Sequence, residues 1–443
     1  MKIAFFIDNK NISNVDCTNM KEGNPGIGGT EYMILLISYL LNVRDNGIEV
    51  ILLPTSKGIF PSDIKIVSCK DLKDGYIIAN KMECNYFIFK HMDYYVNDFF
   101  SKLSSSYFTK IIPWCHNFCS FKSLRFYAKS TLVERIICVG KEQMDLYIDH
   151  LAFLKSDYIF NCVDINPSVT CSKDFRLNNR DNIVTYIGSL VPEKGFCVLA
   201  KAWQRILREV PNAELFVVGT GKLYNRNQKL GKYGIAEAKF EKKFIRYLLN
   251  GNDIISSVHF MGIMGIEKYE LLSRTKVGVP NPAGLTETFG LSAVEMQLCG
   301  AKIATIKCPG YLDTVKNGIL YKKKSQLANA VIKQLKTTED NFLTAKQYID
   351  KHFSIDSVLI EWERLFLDCI PKKRRLNKII INNNFRCKRL KYIFYKLKIN
   401  NKWLYNIIPS LENLISINDK IFYLKSYLKK LLKWAGLRMY ILY

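Results

Sequence analysis

Twice in this chain an apolar strand pattern runs into a glycine-bearing loop and then at once into an amphipathic helix, and that succession leaves few folds open. The first case is Lys2–Ile7. A long loop follows, ending in Gly26-Ile27-Gly28-Gly29-Thr30, and Met33, Ile34, Ile37, Leu40 and Leu41 then share one helical face. The second case is Ile183–Ile187. It is followed by Gly188-Ser189-Leu190-Val191-Pro192-Glu193-Lys194-Gly195 and by a helix with Val198, Leu199, Ala202, Trp203, Ile206 and Leu207 on one side. Glycines let the backbone approach a ligand, and the first amides of a helix are unpaired and sit at the positive end of its dipole. Further strand patterns occur at Val50 to Leu53, Tyr86 to Phe89, Lys110 to Pro113, Ile136 to Val139, Leu215 to Val218, Val258 to Gly262, Lys276 to Pro280 and Ala301 to Ile306. Strands alternating with helices imply parallel sheets. A chain of 443 residues is too long for one ordinary core. The reading is therefore α/β, with Rossmann-like domains at 1–168 and 169–370, a polar linker from Pro167 to about Asn182, and a tail at 371–443.

The stretch from Asn281 to Thr305 adds chemistry to this frame. A proline-containing loop carries Glu287, Phe289-Gly290-Leu291-Ser292 opens an apolar helix holding Glu295, Gly300 stops it, and a strand pattern follows. The amides of Gly290, Leu291 and Ser292 are placed to receive a phosphate, and the carboxylates flank them. Hydroxyl groups at both ends of one phosphate-linked ligand lie within reach of such a pair. A sugar nucleotide is a ligand of that kind.

Charge points the same way. The formal net charge is +25 and the pI about 9.4, which calls for an acidic partner. The tail alone holds 18 Lys and Arg against Glu412 and Asp419. Leu390, Ile393, Phe394 and Leu397 form one helical stripe in it, Ile421, Leu424, Leu428 and Leu431 another, and basic residues fill the other faces. Such a helix suits an anionic membrane, at about 1 kcal/mol per basic side chain near the surface. Packing on the enzyme body or on a second subunit is the alternative. No nucleic-acid reading module accompanies the charge, so no nucleic-acid partner is expected. The 13 cysteines have no repeating spacing, and Cys115 with Cys119 does not match a zinc cluster, so free thiols in a reducing cytosol are expected. MKIAFFIDNK reads as a first strand rather than a signal peptide, and no apolar run reaches membrane-span length. The expected location is cytoplasmic, peripheral on the inner face of the membrane.

Glu287 and Glu295, with FGLS between them, resemble the paired-glutamate motif of the family 4 glycosyltransferases, retaining enzymes with the two-domain GT-B fold. Tyr186 to Gly221 is similar to the opening of that family's nucleotide domain. Cys138-Val139-Gly140-Lys141-Glu142 and Asn161-Cys162-Val163-Asp164 resemble the closing landmarks of its first domain, with Cys162 in place of Gly. The resemblance implies donor binding by Gly28, Gly29, Ser189, Lys194, Glu287, Phe289, Gly290, Leu291, Ser292 and Glu295. It gives the central roles to Lys194 on the diphosphate, Glu287 on the sugar and His116 beside it, with Glu295 on the ribose. It also exposes gaps. Ser189 stands where Arg is commonest, with Arg274 as a possible substitute or a plain surface residue, and Leu312 and Asp313 do not reproduce the usual Gly-x-x-Glu after Pro309. Transfer of a hexose from a UDP- or GDP-sugar to a glycan or lipid-linked glycan is implied, with retention, in bacterial surface polysaccharide or lipopolysaccharide synthesis. No Asp-x-Asp pair is present, so neither metal nor cofactor is expected.

Three other readings stand beside this one: a non-transferring, epimerase-like enzyme of the same fold, a catalytically inert glycan- or nucleotide-binding relative, and, more weakly, a dinucleotide oxidoreductase. The last lacks a full GxGxxG and an acidic ribose ligand. Between Lys222 and Ser257 the chain reads as a surface insertion with a helix near Ala236 to Leu249, and the helix from Ser354 to Asp368 is expected to cross back to the first domain on Trp362 and Phe366.

Overall fold

The computed structural model describes residues 1–101, 103, 106–164, 180–285, 287–367 and 381–421. The strands are β1 (Lys2–Ile7), β2 (Glu49–Pro54), β3 (Lys65–Ile66), β4 (Tyr86–Lys90), β5 (Lys110–Cys115), β6 (Ile136–Cys138) and β7 (Ser156–Tyr158) in the first domain. The second domain holds β8 (Ile183–Ile187), β9 (Glu214–Val218), the hairpin β10 (Leu249–Asn250) and β11 (Asp253–Ile254), β12 (Val258–Gly262), β13 (Val277–Gly278), β14 (Lys302–Ile306) and β15 (Gly318–Tyr321). The first sheet runs β3-β2-β1-β4-β5-β6-β7 and the second β12-β9-β8-β13-β14-β15, and the paired strands of both are parallel. In each sheet the strand order reverses beside the first strand, at β1/β4 and at β8/β13. Ligands of open α/β sheets bind outside the carboxyl ends of the strands at such points.

Why these strands are central is plain from their composition. Ile3, Ala4, Phe5, Ile51, Leu52, Phe87, Ile111 and Ile112 are fully buried, as strands covered on both faces by helices must be. The expected return to the first domain is also present. The helix Ile355–Leu367 sets the Trp362 ring 4.8 Å from Trp114 and 6.3 Å from Phe5, and Phe366 lies 5.4 Å from Tyr86. Burial of an indole on this scale makes its removal cost about 3–5 kcal/mol.

Several local expectations are corrected. The sequence Cys308-Pro309-Gly310-Tyr311 reads as a turn that completes the sheet pattern, but Pro309 begins the helix Pro309–Thr314, where its missing N–H is no loss, and β15 then adds an edge to the sheet. The insertion helix is Ala238–Ile245, capped by the Glu237 carboxylate on the amides of Lys239 and Phe240. It stops short of Leu249 because Asn250-Gly251, with Gly251 at φ +63°, turns the chain into the β10–β11 hairpin.

In the tail, the alternative in which the apolar stripes pack on the enzyme body is corrected for the first stripe. The helix Lys388–Asn400 does bury a face, but that face carries Lys388, Lys391 and Lys398, while Leu390, Ile393 and Leu397 are exposed. Lys388 Nζ lies 2.5 Å from Glu142 and 2.9 Å from Asp145, and Lys398 donates to the Asp149 carbonyl at 2.8 Å. Acidic groups on the back of the first domain therefore draw the lysines inward, and hydrophobic periodicity does not decide the docking. Of the second tail stripe, Leu424, Leu428 and Leu431 lie outside the described residues, as do 167–179 of the expected linker. No helix among the described residues is long and apolar enough to cross a membrane.

Candidate functional site

Gly28 caps the helix Gly29–Val43, and Gly290 caps the helix Leu291–Leu298. These two helix starts, one from each domain, face each other closely: a Cβ on Gly29 would lie 3.8 Å from the Leu291 side chain. Gly290 is held at φ +90°, and a side chain there would meet the Tyr311 ring at 2.5 Å. Only glycine therefore lets the loop enter this helix at this angle. A cavity of about 350 Å³ opens between the starts, lined by Gly29, Thr30, His116, Asn161, Lys194, Tyr224, Glu287, Phe289, Gly290 and Leu291 among others.

Lys194 reaches it from the short turn Pro192–Lys194, which Gly195 closes at φ +70°. Its Nζ lies 2.9 Å from Glu287 Oε2, which also accepts from Asn281 Nδ2 at 2.9 Å. Burial opposes the charge on both partners, yet each outweighs that cost for the other. The Lys194 ammonium is held above its ordinary range, and Glu287, helped by Asn281 and the Gly290 amide, below its own. Both are thus charged at neutral pH. Burial pushes His116 well below the usual imidazole range, and nearby Lys90 adds to this, so the ring is neutral. Its backbone carbonyl accepts from Thr288 Oγ1 at 2.6 Å across the domain boundary. His116 Nε2 and Asn161 Oδ1 are buried in the wall of the cavity without a hydrogen-bond partner among the described residues. Buried polar atoms are normally satisfied, and ligand hydroxyls would satisfy these.

Of the residues singled out from sequence, Gly29, His116, Lys194, Glu287, Phe289, Gly290 and Leu291 meet at this cavity, whereas Gly28, Ser189, Ser292 and Glu295 are not in its wall. Glu295, on the same helix, accepts from Lys268 Nζ at 2.8 Å and from the Tyr269 hydroxyl at 3.3 Å. The Ser189 hydroxyl donates to the Thr220 carbonyl at 3.3 Å. Arg274 pairs with Asp181 on the exposed surface and does not replace the absent arginine, which leaves Lys194 as the one basic side chain described in the cavity wall. Sequence reasoning missed Tyr224. It comes from the insertion, crosses to the first domain, and its carbonyl accepts from Asn11 Nδ2 at 2.9 Å. A single tyrosine among basic surface residues carries no signal that would have found it.

The chain is similar to several known proteins. Residues 170–349 match the family described as Glycosyl transferases group 1, a span that holds Lys194, Glu287 and Glu295. An uncharacterized glycosyltransferase of Haemophilus influenzae (strain ATCC 51907 / DSM 11121 / KW20 / Rd) is 23% identical over 270 residues, 57% of this chain and 69% of that protein. Among solved structures, HepE of Anabaena in complex with UDP is similar with a TM-score of 0.56 at 16% identity, covering 83% of this chain and all of that one. The lipopolysaccharide outer core galactosyltransferase WaaB, in its apo form, gives 0.54 at 14% identity over 84% of this chain and all of its own. The fold is that of the GT-B glycosyltransferases: two domains with parallel sheets.

Proposed function

We propose that this chain, with its GT-B fold and its group 1 segment, is a retaining glycosyltransferase that moves a hexose from a UDP- or GDP-sugar to a glycan or lipid-linked glycan acceptor. The observation that carries the proposal is the convergence of Lys194 and two helix starts, one from each domain, on a cavity whose wall also holds the unpartnered His116 Nε2 and Asn161 Oδ1. A sugar nucleotide is activated by its own diphosphate. The protein must stabilise charge on the departing oxygens and hold an acceptor hydroxyl near the anomeric carbon. Lys194 and the amides opening the helix Leu291–Leu298 supply the first. Glu287, kept ionised, accepts from sugar hydroxyls, and neutral His116 offers a ring nitrogen to another. Glu295 takes the ribose by exchanging part of its Lys268 contact. No residue is assigned as a nucleophile.

Metal independence is part of the proposal. Synthesis of a surface polysaccharide or lipopolysaccharide, at the inner face of the cytoplasmic membrane, is the proposed setting. An inert, glycan-binding relative is the second reading, favoured by Ser189 and by the lack of a second basic side chain beside Lys194. Nucleotide release from a panel of UDP-, GDP- and ADP-sugars with EDTA present decides between them. Release of one nucleotide supports the transferase and fixes the donor, whereas silence with no nucleotide binding moves the assignment to the inert relative.

A further inference from the structure

The tail segment 381–421 divides its eight basic residues into two sets. Arg386, Lys388, Lys391 and Lys398 turn inward: Arg386 pairs with Glu412 and Asp419, Lys388 with Glu142 and Asp145, Lys391 with Glu412, and Lys398 with Asp149. Arg389, Lys396, Lys402 and Lys420 are exposed. None of these four is ion-paired among the described residues, and the only two carboxylates of the segment are already used by Arg386 and Lys391. With Lys388 and Lys398 spent on the first domain and Arg386 and Lys391 on the tail's own carboxylates, the apolar residues are left outside. Leu390, Ile393 and Leu397 are 43–55% exposed on one helix, Trp403 and Ile407 are 61% and 67% exposed in the next, and Leu414, Ile417 and Ile421 are 45–47% exposed along helical residues 411–421. Tyr395 stacks its edge against Phe153 at 5.7 Å, a second tie that fixes which way the helix faces.

We infer that this apolar surface, with Arg389, Lys396, Lys402 and Lys420 exposed among it, docks the protein on an anionic lipid bilayer, with Lys388 and Lys398 serving as latches to the enzyme body, and Lys391 as a tie within the tail, rather than as the lipid contact. Eight half-exposed large apolar side chains on successive helical segments mark an interaction surface. The charge around them selects its partner. A second copy of the same surface would bring four cations against four with no carboxylate to neutralise them, whereas lipid phosphates complement the cations while acyl chains receive the Leu, Ile and Trp side chains. The chain beyond residue 421 continues the same composition, adding Lys425, Lys429, Lys430, Lys433 and Arg438 with no acid. The inference gives the proposed lipid-linked acceptor a place to be met, but it is measured without donor or acceptor, so its failure and that of the transferase assignment are separate results.

The test is vesicle flotation of the full-length protein with phosphatidylcholine vesicles, with and without phosphatidylglycerol. The wild type should float with the anionic vesicles and stay partly bound in high salt. The variant Ile393→Ser/Leu397→Ser/Ile407→Ser changes only exposed side chains and should lose about 100-fold in partitioning, the scale for removing three partly inserted aliphatic groups. The variant Arg389→Gln/Lys396→Gln/Lys402→Gln should lose the preference for phosphatidylglycerol, about 10-fold or more. Wild-type levels of flotation by the serine variant, complete release of the wild type by salt, or no flotation at all would overturn the inference. So would a wild-type dimer in light scattering that the serine variant abolishes, since a second copy would then cover the surface.

Discussion

Replacing Lys194 by Ala separates the roles that geometry gives this residue. Its ammonium lies 2.9 Å from Glu287, with side chains 20% and 14% exposed, so the pair stands between a solvated surface pair and a dry one. Surface pairs contribute about 0–1 kcal/mol, and breaking a fully buried pair costs about 3–5, which places the stability loss at roughly 2 kcal/mol near neutral pH. The pH dependence has a definite sign. Glu287 is depressed in the native state, so its contribution is present above the unfolded carboxylate pKa and is lost as pH falls through the native one. Without Lys194, burial acts against this carboxylate with less to oppose it. The stability gap to wild type should therefore be widest near neutrality and narrow as the pH is lowered. Catalysis should suffer more than stability, because in the proposed transfer the ammonium faces charge that develops only as the diphosphate leaves. Loss of one preorganised donor costs about 100-fold or more in turnover. Nucleotide release under saturating donor measures this, and thermal melts across pH measure the first effect. Wild-type turnover in a folded variant would refute the assignment of Lys194. A turnover loss fully explained by unfolded protein would refute it as well.

Other substitutions probe other parts of the structure. Gly290→Ala should abolish activity and lower the melting temperature, since the new methyl must occupy the Tyr311 ring at a positive φ; wild-type activity in nucleotide release would show that this helix start is not needed. Lys388→Met leaves the buried Glu142 carboxylate short of a cation, while Asp145 keeps Lys141 at 2.6 Å, and should cost about 3 kcal/mol, read as a lower denaturation midpoint and faster proteolysis near residue 388. Asp313, buried and accepting from the Glu142 amide, has its carboxyl pushed up to about 8, first by desolvation. The native state therefore holds a proton that the unfolded chain releases above about pH 4, and stability declines by about 1.4 kcal/mol per pH unit between those values. Asp313→Asn should flatten that slope in denaturant titrations from pH 5 to pH 8.

How much was legible follows from the range of each signal. Long apolar strands next to glycine loops announce themselves, and so both parallel sheets and the two helix starts stand where periodicity and spacing place them, while the Trp362 anchor was expected only from the family resemblance. β3 has two residues and β7 three, too few for any alternation to register, and the hairpin at Asn250-Gly251 competed with a helical pattern that ran up to it. In the site, Lys194, Glu287 and Gly290 were readable because each sits in a local motif. The role of Tyr224 depends on a loop from one domain touching Asn11 of the other, 213 residues away, and no local pattern encodes that.

By itself, then, the sequence determined the two-sheet α/β architecture, the pairing of glycine loops with helix starts, and the presence of one lysine and one glutamate suited to an anionic, hydroxyl-rich ligand. These are consequences of short-range rules, namely burial on both faces of a strand and unpaired amides at the start of a helix. Tertiary structure alone decided which polar groups meet. It gave Glu295 to Lys268 and Ser189 to a backbone carbonyl, brought His116 beside Thr288, and turned the tail's lysines inward onto Glu142, Asp145 and Asp149. An amphipathic pattern fixes that a helix has two unlike faces. Which face is buried depends on the charge of the surface it lands on, and that surface is assembled only when the chain has folded.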